Sequence, residues 1–201
     1  FLSVIFNQDY PEIGSSNSLD ILTWNIENFP KHNNTINYLT DIIDDINVDI
    51  IALQEIESQT DFNYLIHNLD DNWVGYRSEN TNYGELSYLI NLEQVTIMQA
   101  PYTILNQYEH YFAYRPPYVL EIEVNNQKYT LINVHFKCCG DGDLDIGNYW
   151  DEEYRRQQAS IYIKEYIDNY LYNEYVFVLG DFNDLLNDPV SNNVFMNFIN
   201  D

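Results

Sequence analysis

The sequence predicts an α+β fold, and three observations lead to this class. Short apolar runs typical of strands outnumber the stretches with helical periodicity. Some neighbouring runs are close enough to form hairpins, whereas others are separated by a helical stretch that would carry the chain across a sheet. Two packed sheets with helices outside would satisfy this mixture, but the pattern alone leaves other arrangements open.

The first half of the chain alternates strand and helix patterns. Residues 19–25 alternate apolar and polar side chains, which predicts a strand. Isoleucine and leucine at helical spacing predict a helix over residues 34–46, and residues 48–54 form the apolar run of a buried strand. A second helix is predicted at residues 60–69. Three antiparallel strands are then expected at residues 73–78, 86–91 and 95–98.

The second half predicts a hairpin, a long helix and a last strand. Residues 118–124 and 128–135 are strand-like runs that flank two asparagines, a residue type favoured in tight turns. Residues 151–171 form the longest helical pattern, and acidic residues stand at its start, where the helix dipole favours them. Residues 175–179 are the last predicted strand.

The length and composition fit one globular domain. A chain of 201 residues with 45% hydrophobic residues can bury a sizeable core. We assign residues 18–201 to that domain and residues 1–17 to a leader or linker. No apolar stretch approaches the roughly 20 residues that a transmembrane helix needs. No stable protein partner is indicated, and we expect a monomer.

The chain is strongly acidic, with 8 Lys and Arg against 32 Asp and Glu and a formal net charge of −24. Proteins that hold nucleic acid through phosphate contacts normally present a basic face. Long-range attraction to a polyanion should therefore be weak or repulsive. Divalent cations could neutralise the acidic surface, or the surface could be adapted to salty or calcium-rich surroundings; the sequence leaves both open.

Four apolar runs each contain or precede polar residues that stand at or near the end of a predicted strand. Ligands commonly bind at strand ends in layered α/β structures, because a rigid sheet holds side chains that still face solvent. We therefore expect these side chains to form one site. They are Asn25, Glu55, His135, Asp181 and Asn183.

These residues stand in the motifs TWNIEN, LQE, NVHFK and LGDFND, which resemble those of the endonuclease/exonuclease/phosphatase superfamily, the fold of pancreatic-type deoxyribonuclease. The resemblance spans residues 18–190. It implies a four-layer α/β/β/α sandwich, made of two packed mixed sheets flanked by helices. It also implies a divalent-metal-dependent phosphodiester hydrolase.

The resemblance implies that Glu55, Asn25 and Asp181 hold a divalent metal, Mg²⁺ or Mn²⁺. Magnesium takes oxygen ligands and keeps several waters, so one or two carboxylates suffice. Such an ion would polarise the phosphate.

The resemblance also implies the catalytic roles. Asp181 and Asn183 would contact the scissile phosphate and orient the attacking water, and His135 would protonate or stabilise the leaving oxygen. The NxH pattern at His135 resembles the deoxyribonuclease, sphingomyelinase and inositol-polyphosphate phosphatase branches. Arg115, just before a predicted strand, resembles an arginine that approaches substrate phosphate together with Asn183; an ordinary surface arginine is the alternative.

The substrate stays open between several phosphate esters. The leading hypothesis is an exported DNA nuclease. The first alternative is a sphingomyelinase-like or inositol-phosphate phosphoesterase, which the acidic surface slightly favours. A second alternative is a non-catalytic binding module that retains the fold. The observation that supports it is that one motif of the family is missing from this sequence.

That missing motif is the family's closing Ser-Asp-His segment, whose His acts as general base. We therefore expect a C-terminally incomplete domain that lacks the final strand or strands. At the other end, the apolar residues 1–6 resemble the tail of a secretory signal peptide, with a first edge strand as the alternative. The signal-peptide interpretation predicts a secreted, extracellular or periplasmic protein.

Two further patterns follow the His135 motif. Asp141, Asp143 and Asp145 have the spacing of a calcium-binding loop, but Ile146 replaces the glycine that an EF-hand turn requires. A looser structural Ca²⁺ site and a solvated acidic loop are both open. The only two cysteines of the sequence are adjacent, at 138 and 139. They predict two reduced thiols, with a strained vicinal disulfide or an intermolecular link as alternatives.

Overall fold

The computed structural model describes residues 11–79 and 85–199, and the statements below concern those residues. The apolar residues 1–6 lie outside them. The described strands are β1 (Ile21–Phe29), β2 (Ile50–Ile56), β3 (Trp73–Arg77), β4 (Glu85–Asn91), β5 (Thr96–Ile97), β6 (Tyr102–Thr103), β7 (Tyr118–Val124), β8 (Gln127–His135) and β9 (Tyr175–Asp181). The helices are α1 (Thr35–Ile46), α2 (Gln59–Asn68), α3 (Glu152–Tyr170), α4 (Met196–Ile199) and a 3₁₀ turn at Asn106–Tyr108.

The strands form two mixed sheets. The first has the order β1-β2-β4-β3, in which β1 and β2 are parallel and the other pairs are antiparallel. The second has the order β5-β7-β8-β9, with β6 also paired to β7, and only its β8–β9 pair is parallel. Across the described residues, β1 and β9 each pair with one strand and lie at sheet edges.

Strand β2 is apolar on both faces because both faces are covered. Its Ile51 and Leu53 belong to the core beneath α1 and α2, whereas Ile50 and Ala52 belong to the core between the two sheets. Side chains alternate between the faces of a strand, so a strand buried on both sides reads as a continuous apolar run. Full burial of such a side chain contributes about 1.5–3 kcal/mol.

The helices cover the outer faces of the sheets. Helix α1 turns one apolar face toward the first sheet, and its buried residues are Ile36, Leu39, Ile43 and Ile46. Helix α3 packs on the outer face of the second sheet through Ala159 and Ile163. The layers therefore follow the order α/β/β/α, which confirms the predicted four-layer sandwich.

Local chemistry sets the helix boundaries. Helix α1 ends at Ile46 and is followed by Asn47, whose left-handed backbone (φ 53°) is typical of a helix C-terminus. Helix α3 is capped at its N-terminus by Asp151, whose carboxylate accepts a 2.7 Å hydrogen bond from the backbone N–H of Tyr154. Glu152 and Glu153 follow in its first turn. No helix in the described ranges combines the length and apolar character needed to cross a membrane.

The observed elements match the predicted ones, with differences at the ends, in short segments and in the pairing of β5, which joins β7 in the second sheet and does not continue from β4. Strands β1 and β9 continue to Phe29 and Asp181, so Asn25 and Asp181 belong to the strands themselves. Strand β6, the 3₁₀ turn and α4 were not predicted, because segments of two to four residues are too short to display a period.

A buried hydrogen-bond network fixes the two sheets against each other. The side-chain amide of Gln54 on β2 donates to Asn133 Oδ1 on β8 over 2.9 Å. Asn133 Nδ2 in turn donates to the carbonyl oxygens of Leu53 and Ser87 over 3.0 and 3.1 Å. Asn133 is fully buried and Gln54 is 1% exposed. These bonds make the relative position of the sheets specific, which apolar packing alone would not do.

We expect Asn133→Ala to lower the free energy of unfolding by about 2–3 kcal/mol. The substitution removes three buried hydrogen bonds, one that the amide of Gln54 donates and two that the carbonyl oxygens of Leu53 and Ser87 accept. Gln54 keeps its bonds to Thr23 and Ala52. Each lost bond costs on the order of 0.5–1.5 kcal/mol. Urea unfolding measures the loss. The exposed Asn17→Ala is the matched control and should stay within about 0.5 kcal/mol of the parent. A similarly small loss for Asn133→Ala would contradict the role of the network.

Candidate active site

Four strands bring the predicted side chains together. The amide nitrogen of Asn25 on β1 donates to Glu55 Oε1 on β2 and to Asp181 Oδ2 on β9, each over 2.9 Å. His135, at the end of β8, places Nε2 3.7 Å from Asp181 Oδ2 and 3.9 Å from Glu55 Oε1. The cluster therefore joins both sheets, as the sequence predicted.

The strand pairings explain this convergence. Parallel β1 and β2 align Asn25 with Gln54, and parallel β8 and β9 align His135 with Asp181, so both pairs end on the same side. Strands β8 and β9 approach closely because residue 180 is glycine. A Cβ at Gly180 would lie 1.9 Å from the carbonyl oxygen of Val134, and its φ of 139° also favours glycine.

An unusual backbone conformation at Glu55 orients its carboxylate. Its φ is 64°, a conformation uncommon for a residue with a side chain, and the β2–β4 pairing is irregular at this point. The backbone N–H of Asn28 donates to Glu55 Oε2 over 2.9 Å. Strained backbone of this kind concentrates at functional sites.

Asn25 acts here as a donor that orients carboxylates. Its Oδ1 accepts a 2.9 Å hydrogen bond from the backbone N–H of Glu27, which leaves its Nδ2 facing Glu55 and Asp181. The predicted role of Asn25 as a metal ligand would need its oxygen to face the cleft instead. The sequence placed this residue correctly but could not reveal which amide atom points inward.

Asn183 holds the chain just after β9. Its backbone N–H donates to Asp181 Oδ1 over 3.1 Å, and its Nδ2 donates to the carbonyl oxygen of Phe136 over 3.2 Å. Asn183 adopts a left-handed backbone with φ 52°, which asparagine tolerates better than most residues. Asp181 therefore has each carboxylate oxygen oriented by an asparagine.

His135 is a neutral imidazole at pH 7 in this arrangement. Its side chain is 4% exposed, and burial, together with the nearby guanidinium of Arg115, lowers its pKa from 6.5 to about 4. Asp181 and Glu55 oppose this shift without overcoming it. Its Nδ1 is buried and has no hydrogen-bond partner among the described residues. A neutral imidazole still offers one N–H donor and one acceptor.

Arg115 stabilises the end of β8 through hydrogen bonds to its backbone. Its Nε donates to the carbonyl oxygen of His135 over 3.2 Å, and its Nη2 donates to that of Phe136 over 3.1 Å. It is therefore part of the site and not an ordinary surface arginine. Two of its nitrogens are committed to the backbone, and its predicted contact with substrate phosphate stays a prediction.

The donor set fits a hard divalent cation. No group of three or more His, Cys, Asp or Glu in the described ranges is arranged to hold a metal ion. Magnesium does not need one, because one or two carboxylates and several waters complete its shell. Glu55 Oε1 and Asp181 Oδ2 face the same amide nitrogen, and their side chains are 22% and 29% exposed. These two residues could hold the ion.

The predicted calcium loop does not form a cation cage. Asp141 and Asp145 accept hydrogen bonds from nearby backbone N–H groups, and Asp143 accepts one from the side chain of Asn192. Their carboxylates do not gather into a metal-holding group. Calcium needs six to eight oxygen ligands, so the structure gives this prediction no support.

Sequence reasoning missed a buried charge cluster beside the site. Arg156 on α3 donates to Asp184 over 2.6 Å and pairs with Glu153 at 3.0 Å. It also donates to the carbonyl oxygens of Lys137 and Cys139 over 2.8 and 2.9 Å. It thereby ties the segment after β8 to the segment after β9. The available signal was Glu153 and Arg156, two opposite charges three residues apart on a predicted helix.

Comparison with known proteins agrees with this fold. The Endonuclease/Exonuclease/phosphatase family model matches residues 22–198. The chain therefore belongs to that family. No curated protein gives a significant match.

Several solved structures share the architecture. A humanized D. rerio TDP2 has a TM-score of 0.65 at 15% identity, covering 83% of this chain and 63% of that one. D. rerio TDP2 complexed with a single-strand DNA product has a TM-score of 0.65 at 16% identity, covering 83% and 61%. The human Nocturnin catalytic domain with bound sulfate has a TM-score of 0.57 at 15% identity, covering 86% and 67%. These likenesses show the fold, and this chain spans less than two thirds of the TDP2 chains' length.

We expect His135 to make the metal-free protein less stable as the pH falls. The pKa of His135 is about 4 in the folded protein, whereas its ordinary value is 6.5. Between these two pH values the imidazole therefore binds a proton in the unfolded chain but not in the folded protein. The stability from this group is complete above pH 6.5 and is lost as the pH falls toward 4. The loss is on the order of 3 kcal/mol.

Urea unfolding in EDTA at pH 7 and pH 4, for the parent and for His135→Gln, measures this loss. The parent should lose more stability than the variant over this interval, and NMR titration of the imidazoles should give a pKa near 4 for His135. The exposed His67→Gln is the matched control, because it removes a histidine outside the cluster. Equal pH dependence in the parent and His135→Gln would contradict the burial argument.

Proposed function

We propose that this protein is a divalent-metal-dependent phosphodiester hydrolase that acts on nucleic acid. The observation that carries the proposal is the convergence of Asn25, Glu55, His135 and Asp181 from two sheets of a fold that belongs to the Endonuclease/Exonuclease/phosphatase family. Two carboxylates near an imidazole and amides supply the groups that phosphodiester hydrolysis requires. This arrangement favours hydrolysis over a non-catalytic binding module.

Glu55 and Asp181 would hold Mg²⁺ or Mn²⁺, with Asn25 keeping both carboxylates in position. When bound, the ion would polarise the phosphate and stabilise negative charge in the transition state. Without it, the two carboxylates face one amide nitrogen and would repel an anionic substrate. The cation is therefore required for substrate binding as well as for chemistry.

The chain's own residues would position water and phosphate. Asn183 orients one oxygen of Asp181 through its backbone N–H, so that carboxylate can align a water for in-line attack. His135 would act as a neutral hydrogen-bond donor toward the leaving oxygen, because its lowered pKa disfavours an imidazolium at pH 7. Arg115 would keep the end of β8 in place.

DNA is the substrate that we favour. The D. rerio TDP2 structure with a single-strand DNA product supports a nucleic acid for this fold. The net charge of −24 favours the alternative, a small or zwitterionic phosphate ester such as sphingomyelin or an inositol phosphate. Export to an extracellular or periplasmic space, the prediction from residues 1–6, would give the protein access to environmental DNA.

We expect phosphodiester hydrolysis that EDTA abolishes and that Mg²⁺ or Mn²⁺ restores. Glu55→Gln and Asp181→Asn should each lower kcat/KM by about 10²-fold or more, since the electrostatic contribution of a catalytic metal amounts to several kcal/mol. Plasmid DNA, a single-stranded oligonucleotide, sphingomyelin vesicles and inositol phosphates are assayed in parallel. Glu57→Gln, an exposed glutamate two residues away, is the matched control. The proposal fails if no phosphate ester is cleaved, or if Glu55→Gln retains the activity of Glu57→Gln.

The acidic surface predicts an unusual response to salt. At fixed Mg²⁺, kcat/KM on DNA should stay level or rise as NaCl increases from about 50 to about 200 mM, because salt screens repulsion between like charges. A protein with many phosphate contacts instead loses about 10³–10⁵ in affinity over this range. Bis(p-nitrophenyl) phosphate, with one charge, is the control substrate. A steep fall on DNA would show that a basic surface dominates binding.

A further inference from the structure

The two cysteines form a close pair on the segment that follows β8. Cys138 and Cys139 are both exposed, and their sulfur atoms lie 3.0 Å apart, with Cys139 donating to Cys138 Sγ. The pair begins three residues beyond His135. The catalytic arrangement makes no use of either thiol.

The surroundings give the two thiols different reactivity. Lys137 Nζ lies 3.7 Å from Cys138 Sγ and 2.9 Å from the carbonyl oxygen of Cys138. The hydrogen bond from Cys139 and the Lys137 ammonium lower the pKa of the Cys138 thiol. The same hydrogen bond raises the pKa of the Cys139 thiol. A thiolate is the nucleophile in disulfide chemistry, so Cys138 is the attacking sulfur and Cys139 the second to react.

The backbone of the pair is anchored while the sulfur atoms stay accessible. The buried guanidinium of Arg156 donates to the carbonyl oxygens of Lys137 and Cys139, one on each side of Cys138. A depression of about 500 Å³ lies beside Cys139 and is also lined by Asn183 and Asp184. This space admits a small thiol-containing molecule beside Cys139.

We propose that Cys138 and Cys139 are a redox-active dithiol that a small-molecule disulfide oxidises to an intrachain disulfide. The Cys138 thiolate attacks one sulfur of the oxidant, breaks its S–S bond and releases one thiol. Cys139 then loses its proton and attacks Cys138 Sγ in the mixed disulfide, which releases the second thiol. One oxidant disulfide is reduced to two thiols as one protein disulfide forms.

Adjacency makes this oxidation easy to reverse. Adjacent Cα atoms are about 3.8 Å apart, which is below the usual separation of about 4.4–6.8 Å across a disulfide. The bond is therefore strained, and strained, exposed disulfides are the readily reduced ones. The pair would cycle between its two states and not act as a structural cross-link.

The test treats the reduced full-length chain at pH 7 with oxidised glutathione and follows it by mass spectrometry. The parent should lose two hydrogen atoms and both titratable thiols, with no stable adduct, and dithiothreitol should restore the thiols. Cys139→Ser should instead accumulate one glutathionyl group on Cys138. Cys138→Ser should react several-fold more slowly than Cys139→Ser, because Lys137 Nζ lies 3.7 Å from Cys138 Sγ and stabilises the thiolate at that position.

A second comparison separates thiol chemistry from folding and from the proposed hydrolase activity. Lys137→Met should slow the first step at Cys138, whereas Lys128→Met, at an exposed lysine on β8, should not. The readout is thiol modification, so it is independent of any phosphodiesterase assay. A parent that keeps a stable glutathione adduct, or that remains fully reduced, overturns the proposal. Equal reaction rates for the two serine variants overturn the assignment of the attacking sulfur.

Discussion

The site depends on buried hydrogen bonds between the sheets, from Gln54 to Asn133 and from Asn133 to the carbonyl oxygens of Leu53 and Ser87. Gln54 directly precedes Glu55, and Asn133 lies two residues before His135. The first sheet supplies Glu55 and the second supplies His135, so a slip between the sheets would separate the two halves of the site. Apolar packing between sheets tolerates such slips, whereas a fully buried amide pair is satisfied in one position only.

Negative charge is the second constraint, both within the site and over the whole molecule. Within the site, the carboxylates of Glu55 and Asp181 are held toward one amide nitrogen of Asn25. Over the whole molecule, the formal net charge is −24. Both features oppose the approach of a phosphate and are relieved by the same agent, a divalent cation. The proposed metal dependence therefore follows from electrostatics as much as from family membership.

The segments after β8 and β9 are held together by one arginine side chain. Arg156 binds the first through two carbonyl oxygens and the second through Asp184. Its burial demands these partners, because an unpaired guanidinium in the core would be strongly destabilising. The thiol pair is held by the same arginine, while its sulfur atoms stay on the surface. The catalytic cluster and the proposed redox site thus share an anchor without sharing chemistry.

The sequence by itself determined the α+β class and the candidate residues of the cluster, because apolar runs and polar strand ends are local properties of the chain. The four-layer sandwich was implied by the resemblance of its motifs to a known family. The tertiary structure alone decided four things: the positive φ of Glu55, the inward amide nitrogen of Asn25, the backbone contacts of Arg115 and the buried charges around Arg156. Each of these depends on groups distant in sequence. The calcium spacing shows the same limit, since ligand spacing along a chain does not by itself make the oxygens converge in space.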